Sequence, residues 1–480
     1  MDAQYNPALP DQSRQQAVFD RLRGGILSGA LPAGARLPPT RHLAEELGVA
    51  RQTVVLAYER LAAEGYVRAR IGSGTFVATD LPDTAPAARQ AATISTAALS
   101  RRGAMIAATP VSATGKVAGD STLLAPGIPA PELFPAAIWA QHTVRALRDL
   151  APDRTGYPHP QGLAPLRVAI AAHLAATRGL IADPEQIVVT AGTQQALRVA
   201  AELLLDPGDA AWVEDPGYIA GRGALAAAGA TLIPVPSDAE GIDIAAGIAL
   251  APNARLALVA PSHATPLGGA LPIGRRLALL DWAARADAWL LEDDCDSEFR
   301  WEGKPLPPLA SLDRGGRVIY CGTFSKTLAP ALRMGFAVVP AALTPAFVRA
   351  RALTDRGPGT LQQAVLADFI AAGRLGPHIR RMRTEYARRR LALLDALRRH
   401  CPNIRPEASP GGLHLVGHTT TDETTLVAAA RARGLAISPL GAYFLGPPRL
   451  NGVVLGFATT PTAMAADAAR RLAAAERAGR

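Results

Sequence analysis

Cysteine is scarce in this chain: Cys295, Cys321 and Cys401 are the only three in 480 residues. Their odd number, wide spacing and lack of paired histidines exclude a disulfide framework and give no zinc-site pattern. No metal is expected, and a reducing cytoplasm is. Long apolar runs are also missing. Nothing approaches the roughly 20 residues that cross a bilayer. The first segment, MDAQYNPALPDQSRQQ, has neither the basic stretch nor the apolar core of an export signal. The expectation is a protein without membrane contact.

What is present is a hydrophobic content of 49% over a length sufficient for two or three domains, which excludes a mainly disordered chain. The formal net charge is +9, yet residues 1–79 hold nine Arg, no Lys and seven Asp or Glu, nine minus seven giving +2. Bulk charge therefore says little about nucleic acid. Much of the surplus falls in IRRMRTEYARRRLALLDALRRH, Ile379 to His400. There Ile379, Met382, Tyr386, Leu391, Leu393, Leu394 and Leu397 predict one buried helical face, with the arginines solvated.

Three textures divide the chain. Residues 12–79 read as a compact domain. Residues 80–120, rich in Ala, Thr, Ser, Pro and Gly and without an aromatic, read as a flexible linker. Roughly 40 flexible residues span on the order of 35 Å. Residues 121–480 read as a large domain. From about Leu180, apolar runs (IVVTAG, AAWVED, ATLIPV, RLALVAP, AWLLED, RVIYCG, GFAVVP) alternate with Ala- and Leu-rich stretches. That rhythm predicts βαβ units and a mainly parallel sheet, so the fold class is α/β. From about Thr344 the pattern is helical and then shows GLHLVGH and VVLGFA, predicting a smaller α+β subdomain.

In LPPTRHLAEELGVARQTVVLAYERLAAEGYVRARIGSGTFVA, Thr40 is expected to cap a helix that Gly48 stops, and a second helix begins near Ala50 or Arg51. This is helix-turn-helix spacing. Val54, Val55, Ala57, Tyr58 and Leu61 form the buried side of the second helix. Arg51, Gln52 and Thr53 fall on its first turn, where recognition helices meet base edges, with Arg41 on the preceding helix. YVRARIGSGTFVA reads as two strands around a Gly-Ser-Gly turn, a wing carrying Arg68 and Arg70 toward phosphates or the minor groove. The whole span resembles the winged-helix domain of GntR-type bacterial regulators, which implies binding to double-stranded operator DNA. Pro39 and Ala50 depart from that pattern.

GTFSKTLAPALRMG, Gly322 to Gly335, lies between RVIYCG and GFAVVP, both read as strands of a parallel sheet. Lys326 and Arg333 there fit an amine that bonds pyridoxal 5′-phosphate as a Schiff base and a guanidinium that grips the phosphate, with Thr323 as a hydroxyl donor. By itself such a lysine is ordinarily a surface residue. Three other segments point the same way. IVVTAGTQQAL turns from strand to helix at Gly192, Thr193 and Gln194, presenting amides to an anion. VEDPGYIAGR carries Tyr218 to stack on a ring. AWLLEDDCDSEF ends a strand in carboxylates, of which Asp293, Asp294 or Asp296 holds the pyridine nitrogen protonated.

TGYPHPQGLAPLRVAIAAHL, TAGTQQAL, EDPGY, PSHATPLG, EDDCDSEFRWEGKPLP and GTFSKTLAPALRMG together resemble the fold-type I aminotransferase domain of MocR-type regulators, in the expected order. The resemblance implies that Lys326 is the Schiff-base lysine, Asp293 the nitrogen partner and Tyr218 the stacking ring. Arg333, Thr323, Thr193 and Gln194 are then phosphate ligands. Tyr157 matches a tyrosine that reaches the neighbouring subunit, implying a homodimer. Cys295 and Thr265 stand where the family has Tyr and aminotransferases have Asn, both partners of the cofactor's phenolic oxygen; a thiol is the poorer donor. Val454 falls near the usual carboxylate-clamping arginine, with Arg449 a few residues earlier; His414 in GGLHLV and His263 in PSHATP are candidates for an effector pocket, the alternative for each being a hydrogen-bonded core histidine. The expected function is a transcription regulator that senses pyridoxal phosphate, an amine or an amino acid; the alternative is a working aminotransferase with a DNA-binding appendage.

Overall fold

In the computed structural model the described residues are 11–70, 73–81, 99–110, 121–149, 156–303, 306–407 and 409–479. They fall into two compact units, residues 1–98 and 99–480. In the first, helices α1 (Asp11–Leu27), α2 (Thr40–Leu47) and α3 (Arg51–Ala63) pack with a hairpin of β1 (Val67–Arg70) and β2 (Gly74–Val77). Val18, Phe19, Ile26, Leu43, Val54, Ala57, Leu61, Val67 and Val77 form its core. Gly48 ends α2 in the left-handed region at φ 63°, which a glycine adopts without a Cβ penalty. The expected Thr40 cap is not formed. Pro39 occupies the cap position without a side-chain bond, and Thr40 is the first helical residue. Proline's fixed φ sets the chain's entry into the helix instead.

The second unit begins inside the segment read as linker. Residues 82–98 and 111–120 lie outside the described residues, but Arg101–Ala108 form a helix capped by the Ser100 side chain, which accepts from the Gly103 amide at 3.0 Å. Arg102 fastens it by donating to the Ala227 carbonyl at 3.2 Å. Alanine-rich composition suits a helix as well as a linker once such an anchor exists.

An eight-stranded sheet follows in the order β3 (Ile187–Thr190), β10 (Gly335–Val338), β9 (Val318–Thr323), β8 (Trp289–Asp294), β7 (Leu256–Val259), β4 (Ala210–Asp215), β5 (Thr231–Asp238), β6 (Gly241–Ile242). Pairs β9–β8, β8–β7, β7–β4 and β4–β5 are parallel. β10 runs antiparallel to both neighbours and β6 antiparallel to β5, so the sheet is mixed. The parallel reading of GFAVVP is thus corrected: the chain returns from β9 to β10 through a short segment holding Lys326 and Arg333, without the long crossover that a parallel neighbour requires. Packing on one sheet face is tight enough to demand glycine. Trp212 stacks on Trp282 with centroids 3.7 Å apart, and a Cβ on Gly247 would lie 2.7 Å from the Trp212 ring.

The smaller subdomain is a four-stranded antiparallel sheet, β11 (Arg405–Glu407), β12 (His414–His418), β14 (Gly452–Gly456) and β13 (Ser438–Pro439), backed by helices Leu375–His400, Glu423–Arg431 and Ala465–Ala478. In the first of these Met382, Tyr386, Leu393 and Leu397 are buried as expected, but Leu391 is 62% exposed, and Arg389 and Arg390 are buried instead. Their guanidiniums reach inward to the Ala458 carbonyl at 2.5 Å and the Ser409 carbonyl at 3.0 Å. Among the described residues no helix is long and apolar enough to cross a membrane.

Candidate functional site

The parallel strands of the second unit end at a cavity of about 310 Å³, bordered by Gly192, Thr193, Gln194, Tyr218, Asp293, Thr323, Lys326 and Arg333. Eight of the nine residues expected at a cofactor site are therefore brought to one place by four separate chain segments. The ninth, Tyr157, is 81% exposed and does not border this cavity; the Arg356 guanidinium lies 4.6 Å from its ring centroid.

Each side chain arrives by a local rule. Thr193 and Gln194 open the helix Thr193–Leu204, whose cap Gly192 has φ 110° and ψ 172°, a conformation closed to other residues without strain. The Thr193 hydroxyl and the Gln194 Oε1 are buried without a hydrogen-bond partner, although Gln194 Nε2 donates to the Ala220 carbonyl at 2.8 Å. Arg333 ends the short turn Pro330–Leu332 in the left-handed conformation at φ 49° and is brought against the bare face of Gly192. Thr323 closes β9; its hydroxyl donates to Ser325 Oγ at 2.9 Å and accepts the Ser325 amide at 3.1 Å. Lys326 is half-buried, and its Nζ donates to the Gly127 carbonyl. Tyr218 caps the helix Ile219–Ala228, and burial raises its phenol well above the ordinary range.

Among the three carboxylates at the end of β8, the surroundings differ. Asp294 is bound by Arg178 at 3.0 Å and by the Tyr320 hydroxyl. Asp296 lies 3.1 Å from His263 Nδ1; burial opposes its ionisation, but the neighbouring imidazole holds it below the usual carboxylate range. Asp293 borders the cavity with Oδ1 buried and unpartnered, and burial followed by repulsion from Asp294 and Asp296 pushes it up to about 7. An acid in that state is poised to meet a cationic N–H.

Cys295 and Thr265 also border the cavity, and burial keeps the thiol protonated. His414 borders it too, its Nε2 donating to the Pro266 carbonyl at 2.8 Å. His263 stands behind, with Nε2 3.1 Å from Ser409 Oγ. Arg449 binds the Asp215 backbone and carboxylate at 2.6 and 3.1 Å and does not border the cavity; Val454 is fully buried in an apolar cluster. Sequence reasoning missed Gly127, Ser325, Ile219 and Tyr443 as lining residues. Ser325 had a signal, since it adjoins the lysine.

In the first unit, Arg41, Arg51 and Gln52 are exposed. Arg51 Nε approaches Thr40 Oγ1 at 3.5 Å. Thr53, expected to face DNA, is instead only 4% exposed. It lies one turn before Ala57 and two before Leu61, so helical periodicity turns it into the core. On the wing, Arg68 pairs with Asp80 at 2.6 Å, and the Arg70 guanidinium lies 5.1 Å from the Phe76 ring centroid.

Comparison with known proteins agrees with this architecture. Residues 120–471 match the family model for aminotransferase class I and II, and residues 14–77 match that for bacterial regulatory proteins of the gntR family. A solved structure, the α-aminoadipate aminotransferase LysN from Thermus thermophilus complexed with N-(5′-phosphopyridoxyl)-L-leucine, is 29% identical. It superposes with a TM-score of 0.69 over 75% of this chain and 93% of its own length. The second unit is thus an aminotransferase-type domain, and the first a GntR-type DNA-binding domain.

Full-length similarity joins the two. The "Probable rhizopine catabolism regulatory protein MocR" of Rhizobium meliloti is 42% identical over 93% of this chain and 90% of its own. The pyridoxine biosynthesis transcriptional regulator PdxR of Corynebacterium glutamicum is 34% identical over 94% and 93%. The chain belongs to the MocR-type regulators, which join these two domains.

Proposed function

We propose that this protein is a cytoplasmic transcription regulator that binds operator DNA as a homodimer and carries pyridoxal 5′-phosphate at Lys326. The observation that carries the reading is the single cavity in which the Lys326 amine meets a buried, unpartnered Asp293 oxygen and the Arg333 guanidinium. The residues fit the cofactor. Unpartnered Asp293 Oδ1 suits a ring N–H, while Thr193 Oγ1, the Gly192 cradle and Arg333 at the helix start suit a dianionic phosphate.

When bound, pyridoxal phosphate supplies an aldehyde that reacts with amines and a ring that withdraws electrons. Lys326 holds it covalently through Nζ, and Arg333, Thr193, Gln194 and Thr323 hold its phosphate. Tyr218 covers a ring face, and Asp293 keeps a proton on the ring nitrogen. Exposed Tyr157 is assigned to the partner subunit's pocket. In the first unit, Arg51 and Gln52 read base edges, while Arg41, Arg68 and Arg70 hold phosphates.

Regulation requires that a ligand bind two arrangements of the dimer unequally. Pyridoxal phosphate itself, or an amine or amino acid that displaces Lys326, provides such a ligand. The names of the relatives, a regulator of pyridoxine biosynthesis among them, support this reading. Arg449 is bound to Asp215 and is not placed to clamp a substrate carboxylate, which ranks the aminotransferase reading second. Operator binding measured with and without pyridoxal phosphate tests the proposal: a changed affinity or footprint is expected. Unchanged binding together with rapid amino-group exchange on a common 2-oxo acid would favour the enzyme.

A further inference from the structure

One buried acid beside the pocket has no role in the account above. Glu214, near the end of β4, is 5% exposed, and its Oε1 accepts the Ala260 amide at 3.3 Å. Glu214, Tyr218, Arg222 and Asp293 border a void of about 10 Å³, close to the room one water needs. Tyr218 and Asp293 border both this void and the large cavity, so Glu214 stands on the far side of the two residues assigned to the cofactor ring.

Among the described residues no cation is paired with Glu214, whereas Lys326 borders the large cavity with Asp293 and lowers that carboxyl. Arg222 directs Nη1 to the Tyr443 carbonyl at 2.6 Å and Nη2 to the Ala442 carbonyl at 2.9 Å. The other groups facing Glu214 are the Tyr218 ring ahead of helix Ile219–Ala228, Asp293 from β8, the Ala260 amide after β7, and Val235 opposite it on β5. Two carboxyls sharing one low-dielectric void do not both ionise; the pair keeps one proton.

We infer that Glu214 is a positioning residue that holds this proton, leaving Asp293 as the anion that faces the pocket. The inference rests on the reading of Asp293 as the ring-nitrogen partner. Electrostatics agree in direction: burial, with a smaller contribution from Asp293, raises Glu214, while Lys326 lowers only Asp293 of the two. A protonated Glu214 gives Asp293 a neutral neighbour. Ionised Glu214 would raise the proton affinity of Asp293 and draw a ring proton onto its carboxylate.

The test has two arms. In cofactor-free protein, infrared titration of protonated carboxyls should show a component near neutral pH that is lost in Glu214→Gln, and Asp293→Asn should lower its midpoint. In cofactor-loaded protein, the visible band of the wild type should change through a step near pH 8 that Glu214→Gln removes while the cofactor stays bound. An infrared component that persists in Glu214→Gln, or superimposable band titrations, would overturn the inference. If Glu214→Gln does not fold, an Asp293→Asn midpoint that does not move overturns it equally. A wild type that takes up no cofactor would count against the proposed function, while the infrared arm would still decide the role of Glu214.

Discussion

The guanidinium of Arg333 faces the bare Cα of Gly192, where an added Cβ would lie 3.6 Å from Nη2 and 3.7 Å from Nη1. That spacing is ordinary contact, so crowding is not what demands glycine here. The backbone is: φ 110° with ψ 172° is open almost only to glycine and costs about 1–3 kcal/mol elsewhere. Gly192→Ala should lower unfolding stability by that amount in urea titration. It should also weaken cofactor uptake, because the strained turn carries the Thr193 and Gln194 amides. An unchanged midpoint would contradict the assignment of strain.

Arg222 ties the large sheet's helix Ile219–Ala228 to the Ala442 and Tyr443 carbonyls of the smaller subdomain. Arg222→Met keeps much of the volume but leaves the Ala442 carbonyl without a donor, while the Tyr443 carbonyl keeps the Gly217 amide at 3.0 Å. A buried acceptor left unpaired costs about 1–3 kcal/mol. The expected loss is visible in denaturant unfolding, and hydrogen exchange should rise first around residues 441–445.

Much of this was legible in the sequence, for identifiable reasons. Lys326, Asp293, Tyr218 and Thr193 lie at strand ends next to glycines or acidic runs, so apolar periodicity places them at one edge of the sheet. Other features depend on contacts that no local pattern shows. Thr53 is polar and sits on a recognition turn, yet the helix period buries it. Pro39 took the cap position from Thr40. The direction of β10 follows from the length of the return after β9, which apolar runs alone do not reveal. Arg389 and Arg390 are buried because distant carbonyls receive them, and the solvated face expected there belongs to Leu391 and its neighbours. The fit of Glu214 against Asp293 joins two strands separated by β7, a relation that exists only in the assembled sheet.

His414 gives a pH prediction. Burial, then the nearby His263, lowers its imidazole from 6.5 to about 4. A group depressed in the folded state contributes its full stability above the unfolded value, and that contribution is lost as pH falls from 6.5 toward 4. The difference corresponds to roughly 3 kcal/mol. His414→Gln should flatten that part of the acid limb in stability measured from pH 7 to pH 4. An identical limb would show that other groups govern it.

The first unit separates specific from general contacts. Arg51→Ala should cost about 1–3 kcal/mol at a cognate guanine and relax specificity there. Arg68→Ala should weaken binding to all sequences and reduce the salt slope by about 1. Its exposed pair with Asp80 is worth little and should yield readily to phosphate. Equal losses for Arg51→Ala on operator and random DNA would contradict its assignment to a base edge.

The most direct measurement is borohydride reduction of the protein incubated with pyridoxal phosphate, followed by peptide mapping. The account predicts a coloured protein, a phosphopyridoxyl label on the peptide containing Lys326, and neither in folded Lys326→Ala. A colourless wild type, or a label spread over other lysines and retained in Lys326→Ala, would contradict it.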